Sequence, residues 1–514
     1  MTPILRKILP ILVLFLPFQA GAATTETKTL RDLIVLGVEQ NIGLQVEQLN
    51  TQVTVEALTQ NLAVFDSEVF ATFGLVETST PVSITGYDST SDSDVLNGEL
   101  GVRKKFSTGL LASLSLFSEW EDDNDSTSQL DPEYRTGLNL SLIQPLLRNY
   151  GSEANATDIK IARNRMSQAE LQYQLQAQVL ALQVEVFAVQ LAAGREVVDL
   201  RTEAVVLAEE LYNANRRRFV TGVIPVSEVQ EAETALANRE LNLSLSRQEM
   251  ELTFEDLNRQ LNHALPEKFN AASLYPFSTD LREPELPAFS DLFAAAMDKS
   301  IALQLADYDV RNASLQQDYF RNQLKPQLDL NMQAGINGLS GNERSGNSSI
   351  YSGSWEQSIT SAADTDGYQW SVGLEFSMPW ENRAAKSRVQ QAKLQNEQAR
   401  YRQMDQEALL KTELKQQQVN LLRAYEQVRL AERFEQLAQL SLQQEQRRLD
   451  EGLSDSFRII SFQDNMINAR IGRINALAQY FISLAQFDYS RGIILEKHSI
   501  TLVPATEESS REIM

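Results

Sequence analysis

The sequence predicts a mixed α and β fold in which long α-helical hairpins join antiparallel β-strands, with this arrangement occurring twice along the chain. Three observations support it. The 514 residues include only 14 prolines and 22 glycines, mostly between long uninterrupted segments. Apolar residues recur at alternating spacings of three and four over several heptads, which is typical of packed long helices. The segments between these helices alternate apolar and polar residues with period two, which predicts strands.

Composition limits the function before any motif is considered. The formal net charge of -23 disfavours nucleic acid as a partner, because phosphate binding needs clustered Lys and Arg. The chain has no cysteine, which excludes disulfides, thiolate metal sites and lipid attachment through an N-terminal Cys. With two histidines and no catalytic constellation, we expect no enzyme and no catalytic, cofactor-binding or metal site.

Residues 1–22 have the pattern of a secretory signal peptide. Arg6 and Lys7 precede a short apolar run, which ends in the small residues Ala20-Gly21-Ala22. The alternative is a membrane anchor, but a spanning helix needs about 20 apolar residues and this run is much shorter. We therefore expect the mature protein to begin near Ala23 and, since no later stretch is long enough, to enter a membrane only as β-strands.

The mature chain contains an internal tandem repeat. We assign the first repeat to 23–280 and the second to 281–494, and we expect 495–514 to be a flexible tail. Between the last two landmarks, the spacing in the two halves agrees to within about one helical turn, whereas the strand region of the first half is longer by one hairpin. The landmarks are 39–45 with 298–304, Pro145 with Pro379, and Gly222 with Gly452.

Each repeat is predicted to run from a short helix through strands into a long helical hairpin. In the first repeat the helix covers 30–62, the strands about 65–145 and the hairpin about 154–263. In the second repeat they cover 290–323, about 326–379 and about 384–490. The predicted apolar seams contain Leu175, Val179, Leu182, Val186, Val189, Ala193, Leu200, Leu207, Leu211 and Ala214 in the first long helix, and Leu410, Leu414, Leu421, Val428, Ala431 and Ala438 in the second.

The strand segments have one apolar and one polar face. The apolar face of the last strand carries Tyr368, Trp370, Val372, Leu374, Phe376 and Met378. This pattern favours a membrane β-barrel with a wet lumen, and the polar stretches 78–94, 121–133 and 340–367 suit its extracellular loops. A soluble antiparallel sheet with one buried face gives the same alternation and remains the alternative.

The hairpin tips each contain a glycine at an equivalent position. Gly222 and Gly452 follow the long helices, where glycine commonly ends a helix in the left-handed region. Ser227 or Ser454 can then cap the next helix. The alternative is a pair of ordinary helical hairpins, which does not explain why both follow such long helices.

The tandem order, the proline at each strand exit and the tip Arg218-Phe219-x-x-Gly222 followed by Ser227-Glu228 resemble the outer-membrane efflux protein (TolC) family. The resemblance implies a homotrimer in the outer membrane, with four strands from each protomer in a shared twelve-strand transmembrane β-barrel and the helices in a periplasmic α-barrel. It also implies a passive exit duct docked to a periplasmic adaptor protein and to an inner-membrane pump, either proton-driven or of the ABC type, with outer-membrane lipid around it.

Two features depart from the family pattern. An extra hairpin at about 96–120, with Gly109 near its turn, puts the strand count in doubt. The family often places aspartates six and nine positions after the second tip glycine, whereas this chain has Arg458 and Ser461 there. Six positions after the first tip glycine, Gly222, the chain does have a carboxylate, Glu228.

These observations predict a trimeric outer-membrane channel that serves as the passive exit duct of a tripartite efflux or type I secretion system. The alternative is a secreted or periplasmic coiled-coil scaffold or adhesin without a pore. The acidic balance predicts a cation-preferring tunnel. We predict an ion pair between Arg458 and Glu228, with Asp455 as a second acceptor; the alternative is a solvated Arg458. The predicted tip or gate residues are Gly222, Glu228, Gly452, Asp455 and Arg458, and the predicted barrel–helix junction residues are Pro145 and Pro379.

Overall fold

The computed structural model describes residues 28–84, 87–124, 128–266, 269, 271, 274–275, 277, 281, 283–344 and 349–502. The predicted signal peptide and the last part of the predicted tail, 503–514, lie outside the described residues. Helices and strands follow in chain order α1 (Leu30–Gln40), α2 (Ile42–Leu62), β1 (Ser67–Ile84), β2 (Tyr87–Lys105), β3 (Leu111–Asp123), β4 (Leu130–Pro145), α3 (Ser152–Asn155), α4 (Thr157–Val220), α5 (Val226–Gln260), α6 (Phe289–Lys299), α7 (Ile301–Gln323), β5 (Gln327–Glu343), α8 (Trp355–Ala363), β6 (Gly367–Ser377), α9 (Arg383–Asp450), α10 (Ser456–Ser490) and α11 (Ile494–Lys497).

Each predicted short helix is in fact two helices that meet at a capping residue. The predicted helix over 30–62 breaks at Asn41, whose side-chain oxygen accepts from the N–H of Leu44 at 3.0 Å. Its counterpart over 290–323 breaks at Ser300, whose hydroxyl accepts from the N–H of Leu303 at 3.4 Å. Asn and Ser favour N-caps because their side chains satisfy N–H groups that have no partner within the helix. These caps lie in the segments 39–45 and 298–304, which resemble each other in sequence. The similarity of the two segments therefore reflects a helix that begins at the same place in each half of the chain.

The long helices α4 and α9 have 64 and 68 residues. In α9 the predicted seam is buried at Leu414, Leu421 and Val428, at most 1% exposed. In α4 the seam was predicted partly wrongly, since Leu207 is 49% exposed. The face buried most deeply there is made largely of small residues that let neighbouring helices approach closely: Ala177, Ala181, Val184, Ala188 and Ala192. By length and composition an 18-residue window of α4 could cross a membrane, yet 56% of it is buried, as in a core helix.

Within the described residues, six strands form one sheet in the order β1-β2-β3-β4-β5-β6, with every neighbouring pair antiparallel. The four strands implied by the family resemblance are therefore too few. β2 and β3 are the extra hairpin. Their turn contains Gly109, which has a φ of +94° and donates to the carbonyl of Phe106. A Cβ at Gly109 would meet the Asn149 carbonyl at 2.5 Å, so a side chain has no room there.

All three stretches predicted as polar loops are partly regular structure, and 121–133 contains the end of β3 and the start of β4. Most of 78–94 extends the β1–β2 hairpin, because its Ser, Thr and Val residues pair across strands without needing a buried face. The segment 340–367 contains the end of β5 and the helix α8. Ser354 caps this helix in a capping box with Gln357.

The chain divides into two compact units. Among the described residues, one unit contains 28–37, 184–281 and 431–478, and the other contains 38–183, 283–430 and 479–502. The first holds the helical tips and the second holds the sheet. Each unit draws on both halves of the chain.

Candidate pore wall and helical tips

The sheet has one continuous apolar face across all six strands. A cross-strand ladder joins Ala71, Leu100, Leu116, Leu138, Ile336 and Tyr368. The chain leaves much of this face uncovered, since Phe73 is 78% exposed and Trp370 is 72% exposed. Monomeric soluble proteins rarely expose a contiguous apolar surface of this kind. On β6 the apolar residues extend over about 26 Å of strand at 3.3 Å per residue, and a bilayer-facing band on a tilted strand needs a similar length.

The opposite face of the same strands is polar. Its ladder runs through Phe70, Gly101, Ser115, Asn139, Gly335 and Gln369. Carboxylates outnumber cationic side chains on this face, where Glu68, Glu99, Glu119, Glu121, Glu133, Asp329 and Glu375 alternate with Arg103, Lys105 and Arg135. An apolar outer face and a polar inner face are what a membrane barrel with an aqueous lumen requires.

Ion pairs organise part of the polar face. Arg103 meets Glu68 at 2.7 Å across β1 and β2. On β4, Arg135 contacts three carboxylates from two strands, with Glu133 nearest at 2.6 Å and Glu119 and Glu121 at 3.2 and 3.3 Å. One cation among three carboxylates leaves a net negative charge at this level of the sheet.

Helix α8 packs against the apolar face beside the loop end of the strands. The indole N–H of Trp355 lies 2.8 Å from the Ser118 hydroxyl, and the Ser358 hydroxyl lies 2.8 Å from that of Thr136. Gly338 of β5 permits this contact, because a Cβ there would lie 2.1 Å from the Ser358 carbonyl oxygen. The helix therefore fits against the sheet only where a strand residue has no side chain.

The two helical tips have the same backbone geometry. Gly222 and Gly452 have φ values of +74° and +75°. Their N–H groups donate to carbonyls three residues back, at 2.8 and 3.0 Å, and the N–H of the next residue reaches a carbonyl five residues back, at 3.0 and 2.8 Å. This is a Schellman-type helix end, which glycine adopts without a Cβ penalty. Both tip glycines therefore end a long helix, as predicted.

A buried carboxylate organises the second tip. The Glu445 side chain is 4% exposed and contacts three groups from the same hairpin. Its Oε1 accepts from the Ser454 hydroxyl at 2.5 Å and lies 3.0 Å from Arg458 Nε, and its Oε2 lies 3.4 Å from Arg448 Nη1. These contacts join the end of α9 to the start of α10 across the turn at Gly452.

A second network joins the two hairpins near their tips. Asn215 of α4 is 1% exposed, and its side-chain amide donates to the Ser456 hydroxyl at 3.0 Å and to the Glu228 carbonyl at 3.2 Å. The Ser456 hydroxyl, also 1% exposed, in turn donates to the Glu228 carboxylate at 2.8 Å. Three elements, α4, α5 and α10, thus meet at one buried hydroxyl.

The structure separates the predicted gate residues into these two networks. The predicted ion pair between Arg458 and Glu228 is wrong, since Arg458 pairs with Glu445 and Glu228 binds Ser456. Asp455 is an N-cap, accepting from the N–H of Arg458 at 2.9 Å, so it replaces the predicted cap Ser454. The helix cap predicted for Ser227 is likewise absent, because Pro225 occupies the N-cap of α5.

The predicted junction prolines lie where strands end. Pro145 is the last residue of β4 and pairs with Asp329, and Pro379 lies between β6 and α9. Sequence reasoning missed Glu445, Asn215 and Ser456. The sequence did offer a signal for two of them, because the carboxylate of Glu445 and the amide of Asn215 occupy helix positions that are otherwise apolar.

A buried arginine links three helices farther from the tips. Arg239 of α5 is 4% exposed and donates to the Ala204 carbonyl at 3.2 Å and to Gln463 at 3.0 Å, with Asp464 at 3.3 Å. Removal of such a buried, paired charge from a helix interface is costly. The contacts of Arg239 therefore fix the register of α5 against α4 and α10.

Comparisons with known proteins agree with this architecture. Residues 109–263 match the family model described as outer membrane efflux protein. No curated protein sequence matches the chain significantly. Among solved structures, the outer membrane channel CmeC of Campylobacter jejuni has a TM-score of 0.65 at 14% identity, covering 94% of this chain and 89% of that chain. The open-state MtrE outer membrane channel of Neisseria gonorrhoeae has a TM-score of 0.62 at 14% identity, covering 90% and 88%.

The outer membrane protein VceC of Vibrio cholerae has a TM-score of 0.62 at 12% identity, covering 90% of this chain and 96% of that chain. The matched family segment runs from β3 to the end of α5, so it includes strands, a long helix and the first tip. Together these findings confirm the predicted fold class and the resemblance to the outer-membrane efflux protein (TolC) family, a family of channels rather than of enzymes.

Proposed function

We propose that this protein is a homotrimeric outer-membrane channel and the passive exit duct of a tripartite efflux or type I secretion system. The observation that carries the proposal is the six-stranded sheet with one exposed apolar face and one acidic polar face. A coiled-coil scaffold without a pore would have no use for such a sheet, because its apolar face would be left in water.

Exposed apolar residues at the helical tips favour the proposal that a periplasmic partner binds there. Val220, Val223, Leu453 and Phe457 are between 64% and 78% exposed there. Apolar side chains clustered at the end of two hairpins suit contact with another protein. We assign this partner as a periplasmic adaptor, which connects the duct to an inner-membrane pump of the proton-driven or ABC type.

The proposal is tested in cells with a photo-crosslinking amino acid at Val223 or at Leu453. Cross-links to a periplasmic adaptor are expected from both tip positions. The matched control is Tyr401 of α9, an equally exposed side chain that lies outside the unit containing the tips. Adaptor cross-links from Tyr401 and none from the tips would contradict docking at the tips.

The assembly is tested on protein extracted from outer membranes. Native mass measurement should give three copies of a chain that begins near Ala23. A monomer in the soluble periplasm would instead support the scaffold alternative.

A further inference from the structure

We propose that three copies of this chain close an eighteen-stranded barrel, in which β6 of one copy pairs with β1 of the next. The inference rests on the proposed trimer and departs from the twelve strands that the family resemblance implies. It assigns an interaction surface, the two free edges of the sheet, and a single partner, a second copy of this chain.

The sheet has two edges that lack a strand partner in the described residues. Within the part of the chain that the structure describes, β1 pairs only with β2, and β6 pairs only with β5. β6 is exposed along almost its entire length. A free edge in the hydrocarbon region leaves N–H and C=O groups without partners, and each costs several kcal/mol, so spanning sheets are closed. Another sheet edge must therefore cover each of these edges.

The extra hairpin belongs to the membrane wall. β2 and β3 continue the apolar ladder without interruption, with Leu100 opposite Leu116 between Ala71 and Leu138. β1 carries apolar residues on the same face, including Phe73 and Leu75 at 78% and 70% exposure. If β1 and β2 lay outside the barrel, these side chains would face water. All six strands thus share one lipid-facing band.

Strand direction and number allow closure between copies. Successive strands are antiparallel, so with six strands β6 runs opposite to β1. The β6 edge of one copy can therefore form an antiparallel ladder with the β1 edge of the next. Six strands are too few to enclose a channel alone, since about eight strands only leave room for side chains. Three copies give eighteen strands, the size at which porins have an aqueous lumen.

Closure with eighteen strands gives a wider transmembrane barrel than closure with twelve. Barrel diameter grows roughly in proportion to strand number, so this barrel is about 1.5 times as wide as one of twelve strands. For a strand spacing of 4.8 Å and a tilt of 40°, the backbone diameter is roughly 36 Å.

Disulfide cross-linking tests the closure directly, because the chain has no native cysteine. Val372→Cys on β6 is combined with a cysteine at one outward-facing position of β1, namely Val69, Ala71, Phe73 or Leu75. Residues opposite each other on antiparallel strands lie at 4.5–5.5 Å between Cα atoms, a distance that a disulfide spans. Oxidation of at least one pair should give covalent dimers and trimers on a non-reducing gel.

The matched control is the opposite strand face. Val372→Cys with Thr72→Cys places the two thiols on different faces, so no cross-link is expected. A cross-link between Val372→Cys and Leu116→Cys of β3 in a neighbouring copy would show that β1 and β2 lie outside the barrel. A disulfide within one chain between Ala71→Cys and Leu138→Cys would show that β2 and β3 loop out. Either result overturns the proposal.

If the cysteine variants fail to assemble, a measurement on the wild-type protein still tests the proposed strand number. Single-particle cryo-electron microscopy of the extracted protein should show eighteen strands around a threefold axis. A trimer with twelve strands would overturn this inference while leaving the proposed duct intact. Protein without threefold symmetry would instead overturn the proposed trimer itself.

Discussion

The buried carboxylate of Glu445 makes the second tip sensitive to one exposed arginine. Arg458 is 47% exposed and lies 3.0 Å from Glu445, whose side chain is 4% exposed. Replacing Arg458 with Ala removes the positive charge nearest to a carboxylate that stays buried. We predict that Arg458→Ala loosens the turn between α9 and α10.

The size of the effect follows from the exposure of the two partners. A hydrogen bond to a charged group contributes about 1.5–3 kcal/mol, and exposure of one partner reduces this value through solvent screening. Glu445 also keeps Ser454 and Arg448 as partners. We therefore expect the free energy of local opening at the tip to fall by about 1–2 kcal/mol, which corresponds to roughly 5- to 30-fold faster amide exchange.

Hydrogen–deuterium exchange of backbone amides across 446–460 measures this opening directly. Arg447→Ala is the matched control, because Arg447, two residues after Glu445 in α9, is exposed and forms no ion pair among the described residues. In a Glu445→Gln background, Arg458→Ala should change exchange much less, since the buried charge is gone.

Equal exchange in Arg458→Ala and Arg447→Ala would refute the reasoning. An additive effect of Arg458→Ala and Glu445→Gln would refute it as well. In either case the tip would be held by the Schellman turn and the packing of apolar residues, without a contribution from this ion pair.

Three further predictions concern the sheet, the helical core and the lumen. Gly338→Ala should displace α8 and raise amide exchange across 355–363, whereas Gly373→Ala should not, because no atom of the described residues lies within 4 Å of its Cβ position. Tyr275→Phe should lower stability by about 1–3 kcal/mol, since its hydroxyl donates to buried Glu185 at 3.1 Å; unchanged thermal unfolding would contradict this. Burial and Glu185 raise the pKa of Tyr275, so its ionisation destabilises the fold only as pH rises above about 10, and Tyr275→Phe should remove that alkaline loss. The acidic polar face should give reversal potentials of a cation-preferring pore under a salt gradient, and an anion preference would show the prediction to be wrong.

Helix and strand positions could be predicted because their signals are local. The heptad spacing of Leu414, Leu421 and Val428 needs only a neighbouring helix to bury it, and glycines and prolines mark the ends of the long elements. The breaks at Asn41 and Ser300 were missed because the apolar pattern continues across each capping residue. Only the helical backbone is interrupted there, and the spacing of apolar residues does not show this. In α4 the buried face is set by how closely neighbouring helices approach, which favours alanine over the larger residues that define a seam in sequence.

The tip contacts and the strand count depend on geometry that sequence does not record. Arg458 and Glu228 hold equivalent places after their tip glycines, and this equivalence suggested a pair. The reverse turn at Gly452 instead brings Arg458 back to Glu445 of its own hairpin. The extra hairpin was visible as extra length, but only the register of β2 and β3 shows that it joins the sheet.

Conductance of the purified protein in a planar lipid bilayer tests the central claim most directly. An outer-membrane duct should give discrete current steps of uniform size, because each inserted assembly adds one water-filled path. Protein that is present at the bilayer but never produces current steps, under conditions where it keeps its native mass, would contradict the account and favour a scaffold without a pore.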